Sequence, residues 1–451
     1  MTRETFDRGT RTPTAGSPDG PFPVPAARRA RRRGSVSVLD ALALRAMFAA
    51  AGRIRLGRLI VELPGGERRA FGDPATGPTA ELRVHDAEAV RRILLGGDLG
   101  AGEAYMDGLW SSPDLAALAR LASANRDGLG LNRGWWRIPA KAVKTLGHRL
   151  RRNTIAGARR NIAAHYDLGN DFYRLFLDET LTYSSAVFAT PDQPLADAQR
   201  NKYRVIAERA GLSAGQHVLE IGTGWGGFAL YAAGEIGCRV TTITISKAQH
   251  ELATARVREA GLEDRVTLLL RDYREIDGQF DAIVSIEMFE AVGAEYFATF
   301  FAACDRALRP GGLLSMQTIA FPDVTYGPQV RGANWIQTYI FPGGVLPSLA
   351  AIERALADTR FLIRGVQDIA PHYVRTLATW RRNFMSRLDD VRAMGFDERF
   401  IRMWEYYLAI SEAGFDTGVC QDYQIVFEKG RARPSRELEA TTYRPGESRG
   451  P

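Results

Sequence analysis

The spacing of apolar residues divides the chain into unlike parts. From about residue 195 to 430, short β-branched or apolar runs alternate with amphipathic stretches. His217–Ile221, Val240–Ile245, Val266–Leu270, Ala282–Ile286 and Gly312–Ile319 read as five strands, with helices such as Ala248–Ala260 between them. Strands alternating with helices predict an α/β fold with a doubly wound, mainly parallel sheet, Rossmann-like in kind. Ahead of it, residues 38–127 read as a smaller α/β domain. It opens with a helix at Ala41–Ala51 and a strand in which Leu59, Val61 and Leu63 share one face. A turn at Gly65-Gly66, a strand at Leu82 and Val84, and a helix through Val90 and Leu94 follow. Composition gives this smaller domain no chemistry of its own.

Other segments lack such a pattern. Residues 1–37 are rich in Pro, Gly, Thr and Arg, and residues 431–451 are polar, so both read as disordered tails. The run Arg28-Arg29-Ala30-Arg31-Arg32-Arg33 reads either as a solvated tail or as an attraction for anionic lipid headgroups. Residues 128–160 read as a basic linker, and the stretch 128–166 holds no acidic residue. With Trp135 and Trp136 inside it, that stretch suits a membrane interface; a charged linker with core-plugging tryptophans is the plainer reading. No recognisable nucleic-acid motif accompanies the charge, so a nucleic-acid partner is not expected.

Composition narrows the classes further. The chain has 451 residues, a net charge of +7, 45% hydrophobic and 25% charged residues. This is ordinary globular composition, which excludes a collagen-like, wholly disordered or disulfide-scaffold protein. No apolar run approaches the roughly 20 residues of a membrane span, and the first residues lack an apolar signal core. Three widely spaced cysteines, Cys238, Cys304 and Cys420, suit a reducing, cytoplasmic setting. None of the six histidines pairs at metal-ligand spacing, so no metal is expected.

The first strand of the larger domain runs into Glu220-Ile221-Gly222-Thr223-Gly224-Trp225-Gly226-Gly227. Glycines there let the chain turn tightly and let a ligand approach the backbone. A nicotinamide site would want an acid about 20 residues on, but the second strand ends in Thr244-Ile245-Ser246. Glu220 instead stands directly before the loop, and E-x-G-x-G suits S-adenosylmethionine better than NAD.

Residues 161–188 read NIAAHYDLGNDFYRLFLDETLTYSSAVF, and further on come VLEIGTGWGG, TITISKAQ, LRDYRE, VSIEMFEAVG, YIFPGGVLPS and PHYVRTL. This ordered set, spanning residues 161–430, resembles the cyclopropane-fatty-acyl-phospholipid synthases and their mycolic acid relatives. The preceding GEAYMDGLW resembles the extra N-terminal domain of the longer members. The resemblance implies methyl transfer from S-adenosylmethionine to a cis double bond of a phospholipid acyl chain. It places Tyr183, Ser184, Gly222, Gly224, Thr244, Ile245, Gln249, Asp272 and Tyr273 at the donor, beside Glu220. Asp272 would accept from the adenine amine.

An alkene is a weak nucleophile, so it must be held in near-attack geometry, and the carbocation that follows needs a dry pocket. Aromatic faces stabilise a cation, and Tyr166, Phe172, Tyr173, Phe289 and Tyr373 are the candidates, with core packing as the plainer reading of each. Ring closure needs a proton to leave the added methyl, and the resemblance implies bicarbonate as its acceptor. Glu290 would orient that ion, Tyr373 would bind it, and the Ile319 backbone would take part. The role of Glu287 stays open.

Two departures bear on the product. The usual YSC reads Tyr183-Ser184-Ser185, and the usual HTI reads Gln317-Thr318-Ile319. Ser185 and Gln317 still hydrogen-bond an anion, but Gln cannot titrate as His does. A late family cysteine falls at Ser411, which argues against covalent thiol chemistry. These departures weigh against the ring; cyclopropanation stays the leading expectation, with a methylene- or methyl-branched chain as the alternative from the same first step. A water-soluble methyl acceptor and a non-catalytic lipid-binding protein are the readings from other classes. The expected setting is the cytoplasm, peripherally at the inner face of the membrane; a homo-oligomer stays open.

Overall fold

The computed structural model describes residues 38–126, 128–129, 168–330 and 334–430. Tyr166, both expected tails and nearly all of the basic stretch lie outside the described residues. Two sheets organise the rest. The first has four strands in the order β2-β1-β3-β4, namely β1 Gly57–Glu62, β2 Arg68–Asp73, β3 Thr79–Val84 and β4 Trp110–Ser111. Leu59 and Val61 of β1 and Leu82 and Val84 of β3 point to one buried face, as the alternation predicts. The β2 strand escapes the sequence reading because it is an edge whose side chains are nearly all exposed. The helix expected through Val90 and Leu94 runs on from Glu88 to Met106 and so takes in Tyr105.

The second sheet has seven strands. They are β5 His217–Ile221, β6 Arg239–Thr244, β7 Val266–Leu270, β8 Phe280–Ile286, β9 Leu308–Ala320, β10 Phe361–Asp368 and β11 Gln421–Lys429. Their order is β10-β11-β9-β8-β5-β6-β7. The pairs β5–β6, β6–β7, β5–β8 and β8–β9 are parallel, whereas β11 runs antiparallel to both β9 and β10. The five strands read from the sequence are β5 to β9, so the sheet is mainly parallel as expected, and β10 and β11 extend it. After β5 the chain adds strands on one side and then returns to the other, so β5 and β8 flank the switch point. Ligands of open α/β sheets bind there, beyond the carboxyl ends of the strands.

The two sheets meet through helices. The helix Glu398–Asp416 packs on both Glu88–Met106 and Leu115–Ala124. Tyr105 donates to Glu405 at 2.6 Å, and Arg399 to Asp107 at 2.9 Å. Glu412 is buried and accepts from Arg120 at 2.6 Å and Arg381 at 3.0 Å. Among the described residues, no helix is long and apolar enough to cross a membrane.

Glu412→Ala removes the shared acceptor of two arginines that remain about a quarter exposed and can rehydrate. The loss therefore stays below that of a fully buried pair. Urea unfolding should show a decrease of about 2 kcal/mol.

Candidate active site

The glycine loop follows β5 at the switch point. Gly222 has φ of 100°, and a Cβ there would lie 2.9 Å from the Met288 side chain, so only glycine lets the loop pass so close. Gly224 faces open space. A cavity of about 1290 Å³ begins at this loop. It exceeds the roughly 300–1,000 Å³ of a site for one small ligand, leaving room for two reactants. Tyr183, Ser184, Glu220, Gly222, Gly224, Thr244, Ile245, Gln249, Asp272 and Tyr273 all line it. The same cavity runs on past Glu290 to Ile319, Phe341, Leu377, Ile410 and Phe415, an apolar wall.

Its polar end suits a nucleoside with a cationic tail. The buried Glu220 accepts from Thr242 at 2.5 Å, and burial pushes its carboxyl up to about 8. Thr244 donates to Gln249 Oε1 at 2.8 Å, which turns that amide's nitrogen to other partners. The buried Tyr273 hydroxyl has no hydrogen-bond partner among the described residues. Asp272 is held by Arg274 through both oxygens, at 2.7 Å each. The arginine thus shares the carboxylate expected to meet an adenine amine.

Beside the loop, the proton-handling residues are wired differently from the sequence expectation. Glu287 directly follows β8 with φ of 47°, rare for a residue with a side chain. Its backbone N–H donates to Gln317 O at 2.8 Å. Its Oε1 accepts from Ser185 N at 2.8 Å and Gln317 Nε2 at 2.8 Å, and its Oε2 accepts from Tyr373 OH at 2.7 Å. Glu290 Oε1 accepts from the Ile319 N–H and, at 3.0 Å, from Thr318 Oγ1. Its Oε2 is buried without a partner.

The groups expected to hold bicarbonate are therefore already engaged. Gln317, Tyr373 and the Ser185 N–H hold Glu287, and Ile319 holds Glu290. A separate anion does not fit this arrangement, because a side-chain carboxylate occupies its hydrogen-bond donors. Gln317 and Ser185 lie behind Glu287 rather than on the cavity wall, and the Ser185 hydroxyl turns away to Ala186 O at 3.0 Å. Glu290, Ile319 and Tyr373 do line the cavity.

The aromatic expectations divide in the same way. Phe172 and Tyr173 sit in the core among Phe176, Phe384 and Trp404, and Phe289 among Phe297, Phe300 and Phe301; none of the three borders the cavity. Tyr183, Phe341, Tyr406, Tyr407 and Phe415 are among the rings of its wall, with Tyr373. Tyr183 donates to Tyr407 at 2.9 Å.

Asp422 and Lys202 were not singled out by sequence reasoning. Asp422 is buried on β11, a strand the sequence reading did not place, with Oδ1 unpartnered and Oδ2 3.3 Å from Gln317 Nε2. Lys202 is buried on the helix Leu195–Arg209 beside Ala198, Gln199 and Ile206, a helical spacing that marks an inward face. Its Nζ donates to Ser184 Oγ at 2.6 Å. Burial pushes this ammonium down to about 8, opposed foremost by Glu287. Burial also raises Glu287, Glu290 and Asp422, and mutual repulsion adds to it for Glu290 and Asp422. Hydrogen bonds oppose the rise most fully at Glu287, which has donors on both oxygens, so Glu287 best carries the negative charge. Glu290 borders the cavity and is half-buried by surface, yet protein surrounds it, and its carboxyl reaches about 8.

A parallel sheet of this order, with a glycine loop and an acid at the switch point, defines the S-adenosylmethionine-dependent methyltransferase class. The family model for mycolic acid cyclopropane synthetase matches residues 154–425, and the chain belongs to that family. It is 43% identical over 352 residues to the tuberculostearic acid methyltransferase of Mycobacterium tuberculosis, covering 76% of this chain and 82% of that one. It is 36% identical over 364 residues to the cyclopropane-fatty-acyl-phospholipid synthase of Escherichia coli K12, covering 78% and 88%. Among solved structures, the cyclopropane synthase MmaA2 from Mycobacterium tuberculosis superposes with a TM-score of 0.57 at 31% identity, over 60% of this chain and 98% of that one. The mycolic acid cyclopropane synthase CmaA1, solved with SAH and CTAB, gives the same TM-score at 30% identity and the same coverages.

The neutral form of Glu290 favours the fold. Its contribution is fully present below the ordinary 4.5 of a glutamate and is lost as pH rises through about 8. Glu290→Gln stays neutral throughout. From about pH 4.5 to about pH 8, thermal unfolding should show the wild type losing stability relative to this variant.

Proposed function

We propose that this protein transfers a methyl group from S-adenosylmethionine to the cis double bond of an unsaturated phospholipid acyl chain. One observation carries the reading: a single cavity joins the glycine loop to an apolar wall, with Glu287 and Glu290 at the junction. The donor supplies an electrophilic methyl. Glu220 and the glycine-loop backbone take its cationic end, Gln249 and Thr244 its ribose, and Asp272 and Tyr273 its base. The apolar wall holds the alkene against the methyl and excludes water. The alkene π pair forms the new C–C bond as the S–CH3 bond breaks, leaving a carbocation. Glu287, anionic and fixed by three donors, then takes a proton from the added methyl group. Tyr373 and Gln317 position that carboxylate. Neutral Glu290 and Asp422 leave one negative charge facing the cation.

Two products follow. Direct proton loss with C–C closure gives a cyclopropane, the leading product reading. A 1,2-hydride shift before the same proton loss gives a methylene branch. The second reading is favoured by a specific observation, since the departure from the ring-forming pattern at Gln317 places a side-chain amide on Glu287. Similarity to a tuberculostearic acid methyltransferase supports carrying it forward.

The test incubates the protein with methyl-labelled donor and vesicles of dioleoylphosphatidylglycerol. Label should enter the lipid; consumption of donor on a water-soluble acceptor while vesicles stay unlabelled would overturn the assignment. Double-bond derivatisation of the product separates the two readings, because only the methylene branch reacts.

Glu287→Gln keeps the hydrogen-bonding shape but removes the proton acceptor. Turnover should fall by about 10²–10⁴ while donor affinity is unchanged. Equal turnover in the variant would remove Glu287 from the reaction.

A further inference from the structure

We infer that the N-terminal unit is the lipid-recognition half of the site: its helices wall the cavity, and Arg126 takes the phosphodiester of an intact phospholipid. This rests on the acyl-methylation reading. The cavity that contains Glu287 and Glu290 is also lined by Ile93, Asp98 and Ala101 of the helix Glu88–Met106, by Ala119 and Ala122 of the helix Leu115–Ala124, and by Arg126. The four apolar residues are small or aliphatic and suit an acyl chain. The first helix breaks at Gly97, with φ of 62° and ψ of −136°, and this break also borders the cavity.

Arg126 is half-buried on this wall. Among the described residues it has no carboxylate partner, whereas Arg92 pairs with Asp107 at 2.6 Å and Arg120 with Glu412 at 2.6 Å in the same unit. Its backbone is anchored from the preceding residue. Asn125 Oδ1 accepts from the N–H groups of Arg55 and Leu56 at 2.9 and 3.0 Å. Asn125 Nδ2 donates to Leu56 O and Leu121 O at 2.8 and 2.9 Å. A guanidinium on a fixed backbone presents a planar fork that matches a phosphate's oxygens. Asp98, exposed on the same wall, repels a free phosphate dianion more than a singly charged diester.

The test compares dioleoylphosphatidylglycerol with dioleoylglycerol, each in the same non-ionic detergent micelles, using the full chain. Arg126→Gln should raise KM for the phospholipid about tenfold, equivalent to about 1.4 kcal/mol, with kcat unchanged. KM for dioleoylglycerol should stay the same, and Arg126→Lys should recover part of the loss. Ala119→Phe should shift kcat/KM toward shorter monounsaturated chains. Donor binding and melting temperature, unchanged in each variant, exclude a folding defect. An Arg126→Gln variant that leaves the phospholipid-to-diacylglycerol KM ratio intact overturns the proposal. So does inhibition by inorganic phosphate that is noncompetitive with phospholipid and that Arg126→Gln abolishes, since it would assign Arg126 to a free anion apart from the lipid. Failure of the wild type to methylate either lipid would instead sink the acyl-methylation reading.

Discussion

Everything in the site follows from burying three carboxyl groups together beside one largely apolar cavity, Glu287 and Glu290 on its wall and Asp422 behind them. Two like charges about 4 Å apart repel by about 4 kcal/mol at the effective dielectric of a protein. Such a cluster holds together only if most of its members are neutral. The hydrogen bonds show how the charge is divided. Glu287 has donors on both oxygens, whereas Glu290 and Asp422 each keep one buried oxygen without a partner. An orphaned carboxyl oxygen is the natural seat of a proton. Lys202, buried with its Nζ on Ser184, supplies the compensating positive charge.

That division makes sense of residues that look unrelated along the chain. A glutamine at 317 donates its amide to a carboxylate at every pH, where a histidine would donate only in one tautomer or when charged. Ser185 contributes its backbone N–H and turns its hydroxyl away, so the identity of its side chain matters little to the anion. Tyr373 keeps its proton because burial and the adjacent Glu287 both raise its phenol. All three serve one carboxylate. In the proposed mechanism the proton-accepting anion is part of the chain.

The sequence made the parallel core legible because β5, β6 and β8 are largely buried runs bounded by turns and β7 is an apolar edge strand, and that pattern survives in one dimension. The glycine loop and the gathering of the ten residues expected at the donor onto one cavity wall were legible for the same reason: each lies at the end of a strand or sits in a compact motif. What stayed hidden depends on three-dimensional return. The β11 strand closes the sheet from the far end of the chain, so Asp422 and Gln424 reach Gln317 across more than a hundred residues. Phe172, Tyr173 and Phe289 illustrate the converse. Their motifs mark them out, but their neighbours are other core rings, and an aromatic side chain reads alike in a wall and in a core. The N-terminal unit was opaque because its part in the cavity is a surface of ordinary alanines, which carry no chemical signal until the helix Glu398–Asp416 brings them against the larger sheet.

Glu287 also shows how the chain holds a costly conformation. A left-handed residue with a side chain costs on the order of 1–3 kcal/mol and persists only where its surroundings over-determine it. Here the surroundings do so from both ends: the backbone N–H is tied to Gln317 O, and the carboxylate is tied to Ser185, Gln317 and Tyr373. An extended conformation at this position would aim the side chain elsewhere and leave those donors unsatisfied inside the protein, a penalty of about 1–3 kcal/mol apiece. The strain and the hydrogen bonds are therefore one arrangement. The turn after β8 is bent so that a carboxylate faces the junction of donor and acyl chain, and the donors that hold it there are what make the bend stable.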